Sequence, residues 1–278
     1  MKKIKKGDIV ARKSYGKDII FYVKRIIKTQ KEDTAILCGL LERIEADSKI
    51  SDLELINKNI LNKILKQEEK RVSNKLEKQE ENYKIGVITN KETRVKDKII
   101  TGKILHLDGD KRYSQKSYNY YRKLGLNAIV KNIPEYKQPK VVYQLLKYYE
   151  PDILIVTGHD GMIKRGTNYN DIYNYRNSRY FINTVKEARR YDAENNKETV
   201  IFAGACQSYF EALMLAGANF ASSPARILID FIDPLIIAEK VATTENFKYI
   251  TIDNIANELR DGKRGVGGIG SKGKKIIM

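Results

Sequence analysis

Histidine and cysteine are scarce in this chain of 278 residues: there are two of each, His106 and His159, Cys38 and Cys206. Two cysteines in separate regions cannot build a disulfide framework, which points to a reducing compartment. Four scattered side chains also lack the three or four closely spaced ligands of a zinc site, so no metal or other cofactor is expected. No apolar run approaches the roughly 18 residues of a membrane-spanning helix. The N-terminus, MKKIKKGDIVARK, is basic but has no continuous apolar segment of the kind a secretory signal needs. These absences predict a soluble, intracellularly made protein with no membrane insertion. Internal repeats are missing too.

What is present is charge, unevenly signed. The 52 Lys and Arg residues exceed the 35 Asp and Glu, for a formal net charge of +17, which predicts attraction to anionic surfaces. The cations are spread and mixed with acids, with no block of about five or six like charges, so an acidic partner is expected rather than a dedicated reader of nucleic acid. A hydrophobic fraction of 42% suffices for a sizeable core. The length allows one or two domains, and two are expected.

Residues 1–56 contain short β-like runs at Asp8–Arg12, Ile19–Ile27 and Thr34–Leu41, separated by turn chemistry at Ser14–Asp18 and a polar stretch at Thr29–Asp33. Strands this short and close predict a small SH3-like β-barrel. Residues 57–83 shift to Lys, Glu, Gln and Asn with Ile60, Leu61, Ile64 and Leu65 on one stripe, which reads as a helical, charged connector. From 84 to 278 apolar runs at Ile85–Thr89, Ile104–Leu107, Ala128–Val130, Ile153–Thr157 and Thr199–Ala203 alternate with amphipathic stretches at Ser114–Leu124, Pro139–Tyr149, Tyr180–Tyr191 and Ser208–Ala216. That alternation predicts an α/β domain with a mainly parallel sheet flanked by helices, whose functional site lies at the carboxyl ends of the strands.

Two of those ends carry chemistry. One strand runs Ile153-Leu154-Ile155-Val156-Thr157 into Gly158-His159-Asp160-Gly161, and another runs Thr199-Val200-Ile201-Phe202-Ala203 into Gly204-Ala205-Cys206. An imidazole beside a thiol raises the thiolate fraction and can protonate a leaving amine. His159 is thus the candidate general base and Cys206 the candidate nucleophile of a cysteine endopeptidase working through an acyl-thioester. Backbone N–H groups at Cys206 and Gly161 are the expected oxyanion donors. A helix starting after Cys206 would add its N-terminal dipole in favour of the thiolate.

In caspases a Gln-Ala-Cys motif has its histidine about 50 residues upstream, and here Gly-His and Gly-Ala-Cys stand in the same order at a comparable interval. The pair resembles the caspase–gingipain–legumain clan, which implies a caspase-like α/β fold. The clan usually has glycine directly after the histidine, where this chain has Asp160. Over its whole length the chain resembles the YabG family of sporulation-specific peptidases, through KKGDIVARKSYGKDIIF, KILHLDGD, DILIVTGHDG, IFAGACQSYFEALMLAGANFASSPAR and GVGGIGSKG. This resemblance implies processing of spore coat and cortex-associated precursor proteins after arginine, in the mother cell or associated with the spore coat. Arginine specificity needs an acid in the pocket. The clan often places it at the end of the first catalytic strand, here Asp108 or Asp110, with Asp160, Asp230 and Asp233 competing.

Blander readings stand beside these. Cys38, among Ile36, Leu37 and Leu40, reads as core, and His106, amid apolar neighbours, as structural or, second, as a substrate contact. The glycine-rich Gly262–Gly270 lacks the context of a phosphate loop and reads as a mobile or loop-forming tail. It presents Arg264-Gly265, where self-cleavage or transient occupation of the active site is expected. Intact mass spectrometry showing an unchanged tail in active enzyme would contradict that. Tyrosines interleaved with cations, as in Tyr118–Lys123, could stack on bases but read first as packing residues, so nucleic acid is disfavoured. The rival of a different class is a nonenzymatic basic scaffold or RNA-binding protein. Fast, pH-dependent alkylation of Cys206 with Cys38 spared marks catalysis; equal, slow modification of both marks the scaffold.

Overall fold

A computed structural model describes residues 3–88, 99–163 and 168–277. Two compact units divide the chain, one built from residues 1–37 and 47–98, the other from 38–46 and 99–277.

The N-terminal part forms an antiparallel five-stranded sheet from β1 (Ile9–Arg12), β2 (Ile20–Ile27), β3 (Thr34–Gly39), β4 (Glu45–Lys49) and β5 (Leu53–Leu55), in the order β4-β3-β2-β1-β5. Alternation fixes its register: Phe21 and Val23 of β2 are fully buried between partly exposed neighbours, and Val10 pairs with Phe21 on one side and Leu55 on the other. Strands β4 and β5 were not expected, because Glu-Ala-Asp-Ser-Lys and Leu-Glu-Leu carry little of the β-branched and aromatic content that marks strands. Helix α1 (Lys58–Ile88) follows. It runs through Ile85–Ile88, where the sequence suggested a strand ending at Thr89, a residue outside those described. A four-residue apolar run cannot be told from a helical segment by periodicity alone.

The second unit is a mixed α/β layer. Its six-stranded sheet contains β7 (Ile104–Asp108), β8 (Ala128–Asn132), β9 (Ile153–Thr157), β10 (Val200–Ala203), β11 (Phe220–Ser222) and β13 (Val266–Gly268), ordered β13-β11-β10-β9-β7-β8. All neighbours are parallel except β11 and β13. Every residue of β7, β9 and β10 is buried, as a sheet covered on both faces requires. On one face Leu105, Leu107, Leu154, Val156 and Ile201 pack on Val142 and Leu146 of α3 (Gln138–Tyr149) and Phe181, Val185 and Ala188 of α4 (Ser178–Asn195). The other face carries α2 (Lys111–Lys123) and α6 (Asp233–Thr243). Two short antiparallel pairs complete the unit: β6 (Ile99–Ile100) with β15 (Ile276–Ile277), and β12 (Tyr249–Ile250) with β14 (Ser271–Lys272).

The chain leaves β7 towards β8 on one side and returns to β9 on the other. This reversal opens a crevice at the carboxyl ends of β7 and β9. The glycine-rich segment, expected as a mobile or loop-forming tail, is instead the antiparallel edge strand β13. Its glycines serve close approach: a side chain at Gly268 would meet Asn219 O at 2.3 Å, and one at Gly267 the Phe210 ring at 2.7 Å. Arg264 closes a 3-10 turn and its carbonyl accepts from Ala225 N at 3.1 Å, so the Arg264–Gly265 bond lies in a hydrogen-bonded turn rather than in an extended tail.

One buried carboxyl makes stability depend on pH. Glu239 of α6 is 3% exposed, accepts from the Tyr120 hydroxyl at 2.7 Å, and is pushed up to about 7 by burial, which the Tyr120 hydroxyl and Lys240 oppose. The folded state therefore holds this proton more tightly than the unfolded chain, whose value is 4.5. Stability should fall as pH rises from about 4.5 through 7. Glu239→Gln keeps an acceptor for Tyr120 and cannot ionise. Urea melts should show a gain of about 2–3 kcal/mol at pH 8 and little change at pH 4.

Candidate active site

Strands β9 and β10 pair in parallel with Val156 opposite Ala203. His159 and Cys206 each lie three residues beyond that pair, so the interval between them in sequence equals the register offset of the strands. Both residues therefore follow neighbouring strand ends at the same interval. Gly204 makes the exit from β10 possible: its φ is 112° and a side chain there would meet Ser222 Oγ at 2.6 Å. A tight turn follows, in which Ala205 N donates to Ser208 Oγ at 2.9 Å and Gln207 adopts a left-handed φ of 57°. Helix α5 (Phe210–Leu215) begins two residues later than expected and is only 6 residues long, so it adds little of the anticipated dipole.

Cys206 is fully buried. Both hydrogen bonds of its thiol go to Ile229, which donates its N–H at 3.4 Å and accepts at its carbonyl at 3.8 Å. Burial pushes the thiol up to about 12; the Ile229 N–H opposes this, Glu42 adds to it, and Arg260 and Arg43 oppose it weakly. As folded, the sulfur is a neutral thiol rather than a poised thiolate. Its backbone N–H has no hydrogen-bond partner among the described residues.

His159 is 2% exposed. Its Nε2 lies 3.4 Å from Gly39 O and 3.9 Å from Asp110 Oδ2, and the Tyr113 ring packs edge-on at 5.7 Å. Glu135 holds the backbone by accepting from His159 N at 2.8 Å, and Asn177 donates to the His159 carbonyl at 2.8 Å. Gly158 and Gly109 are glycine because the Glu135 carboxylate fills the space a side chain would need, within 2.5 and 2.2 Å. Glu135 was not found from the sequence; the Gly-His pair was its only signal.

Asp160, the departure from the Gly-after-His pattern, is a clamp between the two strand ends. Its Oδ2 accepts from the hydroxyls of Ser178 and Ser208, the latter at 2.9 Å, and its Oδ1 from Asn177 N at 2.8 Å and Gly161 N at 2.9 Å. Burial pushes the carboxyl up to about 6 against those four hydrogen bonds. Gly161, expected as a second oxyanion donor, thus spends its N–H on Asp160.

Asp108, at the end of β7, is fully buried and already holds a guanidinium. Arg43, also fully buried, donates to Asp108 Oδ2 from Nε at 3.1 Å and Nη2 at 2.8 Å, and to Phe231 O from Nη1 at 2.9 Å, with its guanidinium 4.7 Å above the Tyr113 ring. Thr157 Oγ1 donates to the same carboxylate oxygen at 2.8 Å. Among the described residues the buried Tyr113 hydroxyl has no hydrogen-bond partner. Asp110 caps α2, accepting from Arg112 N at 2.7 Å and pairing with its guanidinium at 2.9 Å. Although burial opposes it, Arg112 and His159 hold that carboxyl well below the usual range. Asp230 and Asp233 accept from the N–H groups of Ile232 and Asp230 at the start of α6. His106 bridges Tyr121 Oη at 3.1 Å and Thr157 Oγ1 at 2.8 Å, and burial pushes it down to about 3; it is a neutral packing group. Cys38 is buried, 3.8 Å from Glu45 Oε2. Among the described residues no cluster of three or more His, Cys, Asp or Glu could hold a metal ion, and no helix is long and apolar enough to cross a membrane.

The profile of the family described as YabG peptidase U57 matches residues 5–277. The sporulation-specific protease YabG of Bacillus subtilis (strain 168) is 38% identical over 282 residues, covering 96% of this chain and 94% of that protein. The chain belongs to the YabG peptidase family. It is therefore a peptidase, a hydrolase of peptide bonds connected with sporulation. The YabG match spans the N-terminal sheet and the α/β layer alike. No solved structure matches the chain.

Proposed function

We propose that this YabG peptidase is a cysteine endopeptidase that cuts after arginine, with Cys206 as nucleophile and His159 as general base. The observation that supports the reading is the register of β9 and β10, by which a cysteine and a histidine follow adjacent strand ends at the same interval beside the crevice. His159 takes the thiol proton as Cys206 attacks the peptide carbonyl, then gives it to the departing amine. Water hydrolyses the thioester, and the thiol is restored. The unpartnered N–H of Cys206 faces the developing oxyanion. Gly161 can serve as second donor only once Asp160 releases it, so we assign that place to the N–H of Asp160, directly after the histidine. Asp108 is the acid that receives the substrate guanidinium, with Asp110 orienting His159 rather than lining the pocket. We read the α/β layer as caspase-like and the N-terminal sheet as an SH3-like barrel that docks protein substrates, and the substrates as spore coat and cortex-associated precursors in the mother cell.

The test is a peptide panel varying the residue before the cut among Arg, Lys, Gln and Leu, incubated to completion with wild type and Cys206→Ala and read by mass spectrometry. Products ending in arginine from wild type alone are expected. Cleavage that persists in the Cys206→Ala protein would overturn the assignment.

A further inference from the structure

The buried guanidinium on Asp108 comes from an unusual place. Arg43 stands in the tight connection between β3 and β4, closed by Gly39 N donating to Ile44 O at 2.8 Å, and residues 38–46 belong to the same compact unit as the strand ends. Its peptide group makes a second set of contacts. Arg43 O accepts from Asp160 N at 3.2 Å, Glu45 N donates to Asp160 O at 2.7 Å, and Ile44 bridges Asp160 as a parallel strand. Gly161 is shaped to this path, since a side chain there would meet Glu45 O at 2.4 Å.

A substrate bound for attack would lie the same way: extended beside the histidine loop, its arginine in the acid pocket, and its carbonyl oxygen on the N–H that follows the histidine. We propose that residues 42–45 are a built-in occupant of the substrate cleft, with Arg43 filling the guanidinium pocket of Asp108, Tyr113 and Phe231 O, so that the folded chain is latent until this segment leaves. The inference rests on the peptidase reading for what the cleft does, but the occupancy itself is tested separately. It accounts for the burial of His159 in a peptidase: the connection between β3 and β4 lies against it, with Gly39 O at 3.4 Å from Nε2. The ligand class is an alkylguanidine continued as an extended peptide.

Three measurements on the full chain decide it. With Arg43→Ala, initial rates of arginine-peptide hydrolysis and of Cys206 alkylation by iodoacetamide should rise at least about tenfold over wild type, because only the open fraction of wild type reacts. Agmatine should raise the melting temperature of the Arg43→Ala protein by re-pairing Asp108 and leave wild type unmoved. If the alanine variant does not fold, Arg43→Lys keeps a cation on Asp108 without the guanidinium fork and should show a smaller increase in both rates. A wild type that reacts as fast as the variants from the first time point, or agmatine without effect on the Arg43→Ala protein, overturns the proposal and makes the Arg43–Asp108 pair purely structural. If no form cleaves peptides but agmatine and alkylation behave as described, the occupancy stands and the peptidase assignment of Cys206 falls.

Discussion

Cys206→Ala should reduce arginine-peptide hydrolysis to background, and His159→Ala should lower it by about 10²–10⁴-fold, with far-UV circular dichroism and melting temperature unchanged within a few degrees for the cysteine variant. The asymmetry follows from the roles. Without sulfur no acyl intermediate forms, whereas without the imidazole a residual thiolate fraction still attacks. That fraction is small in the folded chain, because burial holds the thiol near 12. Activity retained in the His159→Ala protein should therefore rise with pH up to the alkaline limit of the fold. Wild type, whose imidazole supplies the base, should depend on pH less steeply than that variant. A His159→Ala protein as active as wild type at pH 7 would remove His159 from the reaction.

The same burial alters what thiol labelling can show. Simple contrast between a reactive Cys206 and an inert Cys38 assumes an open site, yet both side chains are fully buried. Slow labelling of wild type is the expected result of a covered nucleophile as much as of a scaffold, and only a variant that opens the cleft separates the two.

How far the sequence reached depends on the distance over which each feature is determined. Ile104–Asp108, Ile153–Thr157 and Val200–Ala203 were legible as strands because continuous apolar runs are what a doubly covered parallel sheet demands. His159 and Cys206 were legible because strand ends in such a sheet are where side chains meet substrate. Helix α6 was missed for the opposite reason: nearly all of Asp233–Thr243 is buried, so it has no polar stripe to betray a period of 3.6. The edge strand β13 was hidden by its glycines, which signal a loop in sequence and a close contact with Phe210 and Phe220 in space. Asp108 was legible as an acid at the right strand end, but its partner was not. Arg43 lies in a stretch with no chemistry of its own, and nothing local distinguishes a cation bound for solvent from one bound for a carboxylate 65 residues away.

Removing that carboxylate should be the most destabilising single change in the α/β layer. Asp108→Ala leaves the Arg43 guanidinium buried with only Phe231 O and the Tyr113 ring as company, and should cost about 3–5 kcal/mol in urea melts. Arg43→Ala strands the carboxylate instead, but Thr157 Oγ1 and Asp110 N still donate to it at 2.8 Å, so its cost should be smaller. The Arg43→Met, Asp108→Leu double variant buries no unpaired charge and should recover most of the loss. A double variant as unstable as Asp108→Ala would mean that shape, not charge, holds the site. The comparison bears on function because an unpaired charge in the pocket is costly in any state. When Arg43 leaves, Asp108 is again an uncompensated buried charge, and an incoming arginine repays the same debt. Occupant and substrate thus compete for one carboxylate, so the stability lost in Arg43→Ala should be regained with the logarithm of the concentration of an arginine-like ligand once it exceeds Kd.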